Sequence, residues 1–424
     1  MPLSIAILGC GGRGRGYATI MGRDSARFRL VACADPVAGR RAAVARAAGG
    51  AIEEYDSDVA LFARGRIADV LVISTQDSDH HRHAMRALEL GYDLLLEKPV
   101  APTPGECLDI SARAQALGRR VVVCHVLRYT RFYRTVRALI DRGDIGQPVA
   151  IEATEGVDPW HQAHSYVRGP WSDTARSTPM IVAKCCHDID LIGWFAGRPA
   201  ERVASFGSLE FFRPERAPVG APARCTDGCP HAATCAYDAH HYLGRHRGWL
   251  DIIRHVENAD DDALEWLRAS PWSRCVWKCG NDAVDRQVVA LGFAGGITAS
   301  LTMTAFASGR SLAISGSEGR LVGGEALRGE LGCDLVVQRH HGGTRQRIDV
   351  GAAIGGHAGG DEGVIDHLHQ ALTTADPAQV QADFAASVDH TVLSFAAEEA
   401  RVTGQVVAMA AYRARHAPGR VAVA

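Results

Sequence analysis

The first residues with chemical potential form a glycine-rich turn close to the start of the chain. The run Gly9-Cys10-Gly11-Gly12-Arg13-Gly14 has the spacing G-x-G-x-x-G, and Asp35 follows further along. In such turns the first glycine permits a tight bend, the second lets the backbone approach a pyrophosphate, and the third lets a helix pack against a strand. The turn therefore predicts a dinucleotide site, with the pyrophosphate at a helix N-terminus and Asp35 on the ribose hydroxyls.

The acidic residue also favours one cofactor over another. A carboxylate at position 35 would repel the 2′-phosphate of NADP, so we expect NAD. Arg40 and Arg41 are close enough to keep NADP open, although they can equally form the solvated face of a helix. The predicted cofactor-binding residues of this region are Gly9, Gly11, Gly12, Arg13, Gly14, Asp35 and Arg40.

Two further residues have side chains suited to alcohol chemistry. Lys98 stands in Glu97-Lys98-Pro99 after a short apolar run, where its ammonium could bind a substrate hydroxyl and stabilise developing negative charge. His187 lies in the apolar stretch 181–195, which is predicted to form one helix, and a neutral imidazole suits abstraction of an alcohol proton. The alternatives are a surface lysine at a helix end and a structural histidine.

The elements that must position these residues alternate between strand and helix. Apolar runs at 4–8, 28–34, 70–75, 93–96 and 120–124 are separated by single helical stretches, which predicts a doubly wound parallel sheet. Ligands of such sheets bind at the carboxyl ends of the strands. The polar residues at or just after these ends are Thr75, His80, Lys98 and His125.

Composition excludes several classes of protein. The 424 residues carry a net charge of -2 and are 47% hydrophobic, which argues against nucleic-acid binding through a basic field and against a disordered chain. No apolar stretch approaches the length of a membrane helix, and the N-terminus lacks the basic region of a signal peptide. We therefore expect a cytoplasmic protein with no membrane or nucleic-acid partner.

The order of the motifs resembles the glucose–fructose oxidoreductase, inositol dehydrogenase and MocA family, abbreviated Gfo/Idh/MocA. The resemblance rests on the glycine turn, Thr75 followed by His80, Glu97-Lys98-Pro99, and His187-Asp188-Ile189-Asp190. It implies a Rossmann domain followed by an α/β domain with a large, mostly antiparallel sheet, commonly assembled as a homodimer or homotetramer. It also implies that Lys98 and His187 are catalytic and that His80 borders the cofactor; the alternative for His80 is a polar residue at a helix start. We also predict that Thr75 and Glu97 bind the cofactor.

The chain departs from the family at one position. Inositol-dehydrogenase-like members often have an aspartate four residues before the catalytic histidine, where this chain has Ala183. Lys184 stands three residues before His187, so on one helix the two side chains would share a face. We therefore predict that Lys98, Lys184 and His187 converge on the substrate; the alternative is a solvated Lys184.

Three cysteines lie within eleven residues, just after a segment at 213–220 that is rich in proline and charge. Thiolates of Cys225, Cys229 and Cys235 could bind one zinc ion, which prefers four ligands in tetrahedral geometry. Cys275 is the favoured fourth ligand, with Cys279 and His231 as alternatives. Free thiols, a disulfide or an iron–sulfur cluster are the competing interpretations. A zinc site of this kind would be structural, because four protein ligands leave no position for substrate.

Together these observations predict two domains, an NAD(P)-binding domain at 1–125 and a substrate-binding and oligomerisation domain at 126–424. A cysteine-rich insertion is expected at about 213–280, followed by a meander of short antiparallel strands. The predicted activity is NAD-dependent hydride transfer from a secondary alcohol of a sugar, polyol or sugar derivative. The alternatives are elimination from a glycoside through a transient keto-sugar with tightly bound NAD, and a non-catalytic dinucleotide sensor.

Overall fold

A parallel six-stranded sheet forms the first part of the chain. The computed structural model describes residues 1–254, 262–343, 345–351 and 355–417. The sheet has the order β3-β2-β1-β4-β5-β6, with every neighbouring pair parallel. This confirms the predicted doubly wound sheet, whose order reverses between β1 and β4. The strands are β1 (Leu3–Leu8), β2 (Phe28–Ala34), β3 (Glu53–Tyr55), β4 (Val70–Ile73), β5 (Asp93–Leu96) and β6 (Val121–Val123).

Helices on both faces of this sheet begin at sequence signals typical of helix starts. The Ser57 and Thr103 hydroxyls accept hydrogen bonds from the backbone N–H groups of Ala60 and Glu106, which caps two of the helices. The first helix begins inside the glycine turn, at Gly12. The helices are α1 (Gly12–Gly22), α2 (Ala38–Ala47), α3 (Asp58–Phe62), α4 (His80–Glu89) and α5 (Pro104–Ala116).

A second, mostly antiparallel sheet follows, as the family resemblance implied. Its order is β14-β13-β12-β11-β7-β10-β9-β8-β15, and β10 pairs with β7 in parallel. The strands are β7 (Pro148–Val157), β8 (Ala200–Ser208), β9 (Arg286–Phe293), β10 (Thr298–Thr304), β11 (Ser308–Gly316), β12 (Gly319–Gly323), β13 (Leu335–Arg339), β14 (Arg345–Ile348) and β15 (Val407–Ala408).

The predicted meander is wrong at one place. Strands β10 and β11 follow each other in the chain, but β7 lies between them and pairs with both. Local alternation of apolar residues defines each strand and does not define its neighbour. The register that inserts β7 depends on contacts more than a hundred residues apart in sequence.

The helices of this second part cover the antiparallel sheet, and one of them also packs against the parallel sheet. Val364, Ile365 and Leu368 pack with Ile5 and Ile7 of β1, so a C-terminal helix completes the core of the parallel sheet. The helices are α6 (Arg131–Asp141), α7 (Pro159–His161), α8 (Met180–Ala183), α9 (Cys186–Ala196), α10 (Arg247–Arg254), α11 (Ala263–Ala269), α12 (Arg328–Leu331), α13 (Gly360–Thr373), α14 (Pro377–Thr403) and α15 (Met409–His416).

Candidate active site

The glycine turn lies at the carboxyl end of β1 and has the geometry of an anion cradle. Gly9 has φ +91° and donates its N–H to Ala34 O of β2 at 2.9 Å. A Cβ built at Gly11 or Gly12 would meet no atom within 4 Å, so the backbone is open to an approaching group. At Gly14 a Cβ would lie 2.0 Å from Gly9 O, because helix and strand are in close contact there. The turn therefore fits a pyrophosphate at the start of α1.

Asp35 is held at the end of β2 by two backbone groups. Its carboxylate accepts hydrogen bonds from the N–H of Cys10 at 2.9 Å and of Val37 at 2.8 Å. The Arg40 Nη1 atom lies 3.8 Å from Asp35 Oδ2, whereas Arg41 donates to the Asp35 backbone carbonyl. The acidic side chain is therefore fixed beside the glycine turn, with one arginine close to it.

Arg13 and Glu97 form a network that joins α1 to the end of β5. The Arg13 guanidinium is 2.6 Å from Glu97 Oε1 and 2.9 Å from Asp361 Oδ1 on α13. The Tyr17 hydroxyl donates to Glu97 Oε1 at 2.7 Å, and Glu97 Oε2 accepts from the backbone N–H of Lys98 at 3.0 Å. Glu97 thus orients the backbone that carries the lysine.

His80 and Thr75 hold the neighbouring strand ends together. The Nδ1 atom of His80 lies 2.7 Å from Pro99 O, and its Nε2 atom lies 3.3 Å from Thr75 O. The Thr75 hydroxyl is 3.1 Å from Nδ1 of His83. Both nitrogens of His80 are therefore used in joining β4 to the Glu97-Lys98-Pro99 segment.

Lys98 connects the edge of the parallel sheet to the second part of the chain. Its Nζ donates to the carbonyl of Ala183 at 2.7 Å, at the end of α8. The same ammonium lies 5.9 Å from the centre of the Trp171 ring. Ala183 stands where the family resemblance led us to expect an aspartate, and its backbone carbonyl accepts the hydrogen bond from the lysine.

His187 is buried near the start of α9, with 9% of its surface exposed. Burial, and then the positive charge of Lys98, lower its pKa well below the ordinary value. Its ring meets that of His125 edge to face, with ring centroids 5.8 Å apart. The imidazole is therefore neutral across the physiological pH range and lies among positive charges from both sheets.

The prediction that Lys184 and His187 share one helix is wrong. The chain forms two helices, α8 and α9, and Lys184 lies in the break between them. Its Nζ is 3.2 Å from Glu155 Oε1 on β7. The lysine is one of the charges that lower the pKa of His187, so the two residues are near each other without sharing a face.

Glu155 is a site residue that the sequence pattern did not reveal. It lies on β7 between Lys184 and Arg310, whose Nη2 atom is 2.7 Å from Glu155 Oε2. Burial, and then the nearby Asp188 carboxylate, raise the pKa of Glu155 to about 7. An acidic group from a strand therefore lies beside Lys184, the residue that follows Ala183.

Two carboxylates in a mostly apolar helix are a sequence signal for buried ion pairs. Asp188 and Asp190 of α9 are both buried, and buried charges need partners. Asp188 pairs with Arg310 at 2.8 Å, and Asp190 accepts from Nε of Arg128 at 2.6 Å. Two residues apart on a helix, the carboxylates point to opposite sides and bind one arginine each.

The cysteine-rich insertion lies between β8 and β9, and its residues 255–261 fall outside the described part. Cys225, Cys229, Cys235 and Cys275 line one small cavity. Across the described residues no group of three or more His, Cys, Asp or Glu is arranged to hold a metal ion, so the zinc prediction receives no support. All twelve cysteines are free, and His231 and Cys279 bond backbone carbonyls, those of Val219 and Cys275.

A buried arginine makes several contacts with the insertion. Arg168 is 1% exposed, and its guanidinium donates to Arg274 O at 2.7 Å and to Tyr237 O at 2.6 Å. The same group lies 3.6 Å from the Cys225 thiol. Hydrogen bonds from a charged donor therefore fix the loop that the sequence assigned to zinc.

Comparison with known proteins gives a family for this architecture. Residues 3–125 match the family described as "Oxidoreductase family, NAD-binding Rossmann fold", and residues 133–322 match the "GFO/IDH/MocA C-terminal domain". With most of its length matched, the chain belongs to the Gfo/Idh/MocA family of NAD-binding oxidoreductases.

Individual relatives are more distant. The Bacillus subtilis protein YteT is 26% identical over 314 residues, which cover 71% of this chain and 72% of YteT. Inositol 2-dehydrogenase 1 of Saccharopolyspora erythraea is 28% identical over 204 residues, which cover 48% of this chain and 57% of the relative. The chain thus spans little more than half the length of that inositol dehydrogenase.

Solved structures share the fold at low sequence identity. The scyllo-inositol dehydrogenase of Lactobacillus casei with NAD(H) and scyllo-inositol has a TM-score of 0.64 and 16% identity, covering 97% of this chain and 100% of that chain. An Agrobacterium radiobacter oxidoreductase in complex with NAD+, L-tartaric acid and magnesium has a TM-score of 0.67 and 16% identity, covering 97% and 99%. Separately, none of the helices in the described ranges is long and apolar enough to span a membrane.

Proposed function

We propose that this protein is an NAD-dependent dehydrogenase that oxidises a secondary alcohol of a polyol, sugar or sugar derivative, or catalyses the reverse reduction. The observation that carries the proposal is the position of Lys98 at the edge where the glycine turn lies, with its ammonium on the peptide carbonyl of Ala183, four residues before His187. This contact supports a site in which a cation and a proton acceptor lie near the proposed dinucleotide site.

The chain's own groups support oxidation of an alcohol. When bound, NAD supplies the acceptor for the hydride. The neutral imidazole of His187 takes the hydroxyl proton, and the Lys98 ammonium stabilises the negative charge that develops on the oxygen. Lys184 and Arg310 add positive charge around His187, although Glu155 and Asp188 partly balance it.

The preference for NAD over NADP is proposed from Asp35. Two backbone N–H groups fix its carboxylate at the end of β2, where a 2′-phosphate would meet its negative charge. Arg40 lies 3.8 Å from this carboxylate and partly neutralises the negative charge of Asp35. The proposed cofactor-binding residues remain those of the glycine turn with Asp35, Arg40, Thr75, His80 and Glu97.

The substrate class is proposed by analogy with relatives whose names include inositol dehydrogenases. The test is NADH formation in a panel of inositols, linear polyols, monosaccharides and glycosides, with NADP in parallel. We expect NADH with at least one polyol or sugar, and loss of that activity in Lys98→Met. Glycoside cleavage without net NADH would replace the proposal with the elimination reaction, and absence of dinucleotide binding would overturn it.

The proposal also includes a homo-oligomer formed through the second sheet and a location in the cytoplasm. Phe206 on β8 and Val288 on β9 are paired in register and are 71% and 45% exposed, which supports a homodimer or homotetramer formed through this sheet. Light scattering after gel filtration would give the assembled mass. The free state of every cysteine supports placement in the reducing cytoplasm.

A further inference from the structure

A second buried imidazole lies against the proposed proton acceptor. His125 follows β6 and is 2% exposed, and its ring plane stands at 81° to that of His187. Neither ring nitrogen of His125 has a hydrogen-bond partner among the described residues, and the same holds for Nδ1 of His187. Buried polar groups are nearly always paired, so three unpaired nitrogens in two touching rings indicate a use beyond packing.

Beyond His125 the polar groups continue toward helix α14. The Nε2 atom of His125 is 3.8 Å from Asp190 Oδ1, and the same oxygen lies 2.9 Å from Nδ1 of His390. Asp190 is fully buried, whereas the His390 side chain is 13% exposed. A line of ionisable groups therefore runs from His187 to a position that water can reach.

Burial, more than the surrounding charges, keeps both imidazoles neutral. Burial, and then the opposing effects of Asp190 and Arg128, leave the pKa of His125 at about 4. The groups that face His125 are Asp190, Arg128, His390, Lys98 and His187, and those that face His187 are Lys98, His125, Arg310 and Lys184. A neutral imidazole has one nitrogen free to accept a proton, so each ring can receive one.

We propose that His125 accepts the proton that His187 takes from the substrate, that the Asp190 carboxylate stabilises the charged His125 ring, and that the proton leaves toward solvent on the side of His390. The proposal rests on the dehydrogenase function proposed above. As the hydride leaves the substrate carbon for the cofactor, the O–H electron pair forms the carbonyl and the proton binds Nε2 of His187. The two rings are not hydrogen-bonded to each other at rest, so the proton on Nδ1 passes to a nitrogen of His125 through a bridging water molecule or after rotation of one ring. This transfer leaves His187 neutral again.

The test is His125→Gln, assayed for polyol oxidation between pH 6 and 9.5. We expect kcat to fall by about tenfold or more, a loss within the range of a proton-transfer step, with KM changed less than about twofold. Added imidazole should restore part of kcat, and the pH at which kcat reaches half of its maximum should change. His390→Gln, at the outer end, should shift the profile in the same direction.

A matched control is His369→Gln. His369 meets Phe28 edge to face at 5.6 Å and 78°, which is the same ring contact at a distance from the site. Wild-type kcat and pH profile in His125→Gln would overturn the relay, as would a loss that is equal at every pH and not rescued by imidazole. If His125→Gln does not fold, an unchanged pH profile in His390→Gln overturns it. A wild-type enzyme that forms no NADH with any alcohol overturns both proposals.

Discussion

The buried carboxyl of Glu155 provides a quantitative test of the ion network beside the site. In the folded protein its pKa is about 7, compared with 4.5 for an ordinary glutamate. Between these two pH values the folded state holds a proton that the unfolded chain has released. Stability therefore falls as the pH rises through this interval. At about 1.4 kcal/mol for each pH unit, the fall amounts to about 3 kcal/mol by pH 8.

Glu155→Gln removes this titration and keeps the shape of the side chain. Since glutamine resembles the protonated acid, the variant should match the wild type at pH 5 and become more stable by about 3 kcal/mol at pH 8. The assay is urea unfolding followed by tryptophan fluorescence at half-unit pH steps from 5 to 8.5. Glu152→Gln is the matched control, because Glu152 lies on the same strand with a side chain that is 62% exposed.

Parallel stability curves for Glu155→Gln and the wild type would refute the reasoning. So would a variant that is less stable at pH 8, because the ion pairs with Lys184 and Arg310 would then outweigh the cost of burying the charge.

Three other predictions follow from single contacts. Gly14→Ala should weaken NAD binding at least tenfold by calorimetry, because its Cβ would lie 2.0 Å from Gly9 O, whereas Gly16→Ala meets no atom within 4 Å and should bind normally. Arg168→Met should lower the free energy of unfolding by about 3 kcal/mol in urea, because two charged hydrogen bonds are lost; no change would show that the insertion is held otherwise. Lys184→Met should reduce kcat by about a hundredfold, and near-wild-type turnover would remove this lysine from the site.

Much of the dinucleotide half could be predicted, because its signals are local. The alternation of apolar runs with helical stretches defines a parallel sheet, and the strand order then brings Gly9, Thr75, Lys98 and His125 to one edge. Each of these residues lies one or two positions after the end of a strand, so the order of the strands is enough to place it.

The second half depended on contacts that local pattern does not encode. Glu155 lies on β7, which pairs with both β10 and β11, and Lys184 lies in the break between two helices. Their contact joins two different kinds of element, so no local sequence pattern predicts it. The break itself was invisible in an apolar stretch that reads as one continuous helix.

Sequence by itself determined that this chain is built around a dinucleotide cradle, because glycine spacing, strand periodicity and an acid at a strand end are properties of neighbouring residues. Only the tertiary structure decided which charges surround His187 and what holds the cysteine-rich insertion. A buried charge is stable only where a partner meets it. Arg310 and Arg128 meet Asp188 and Asp190, and backbone carbonyls of the insertion meet Arg168; these partners come from elements that folding brings together.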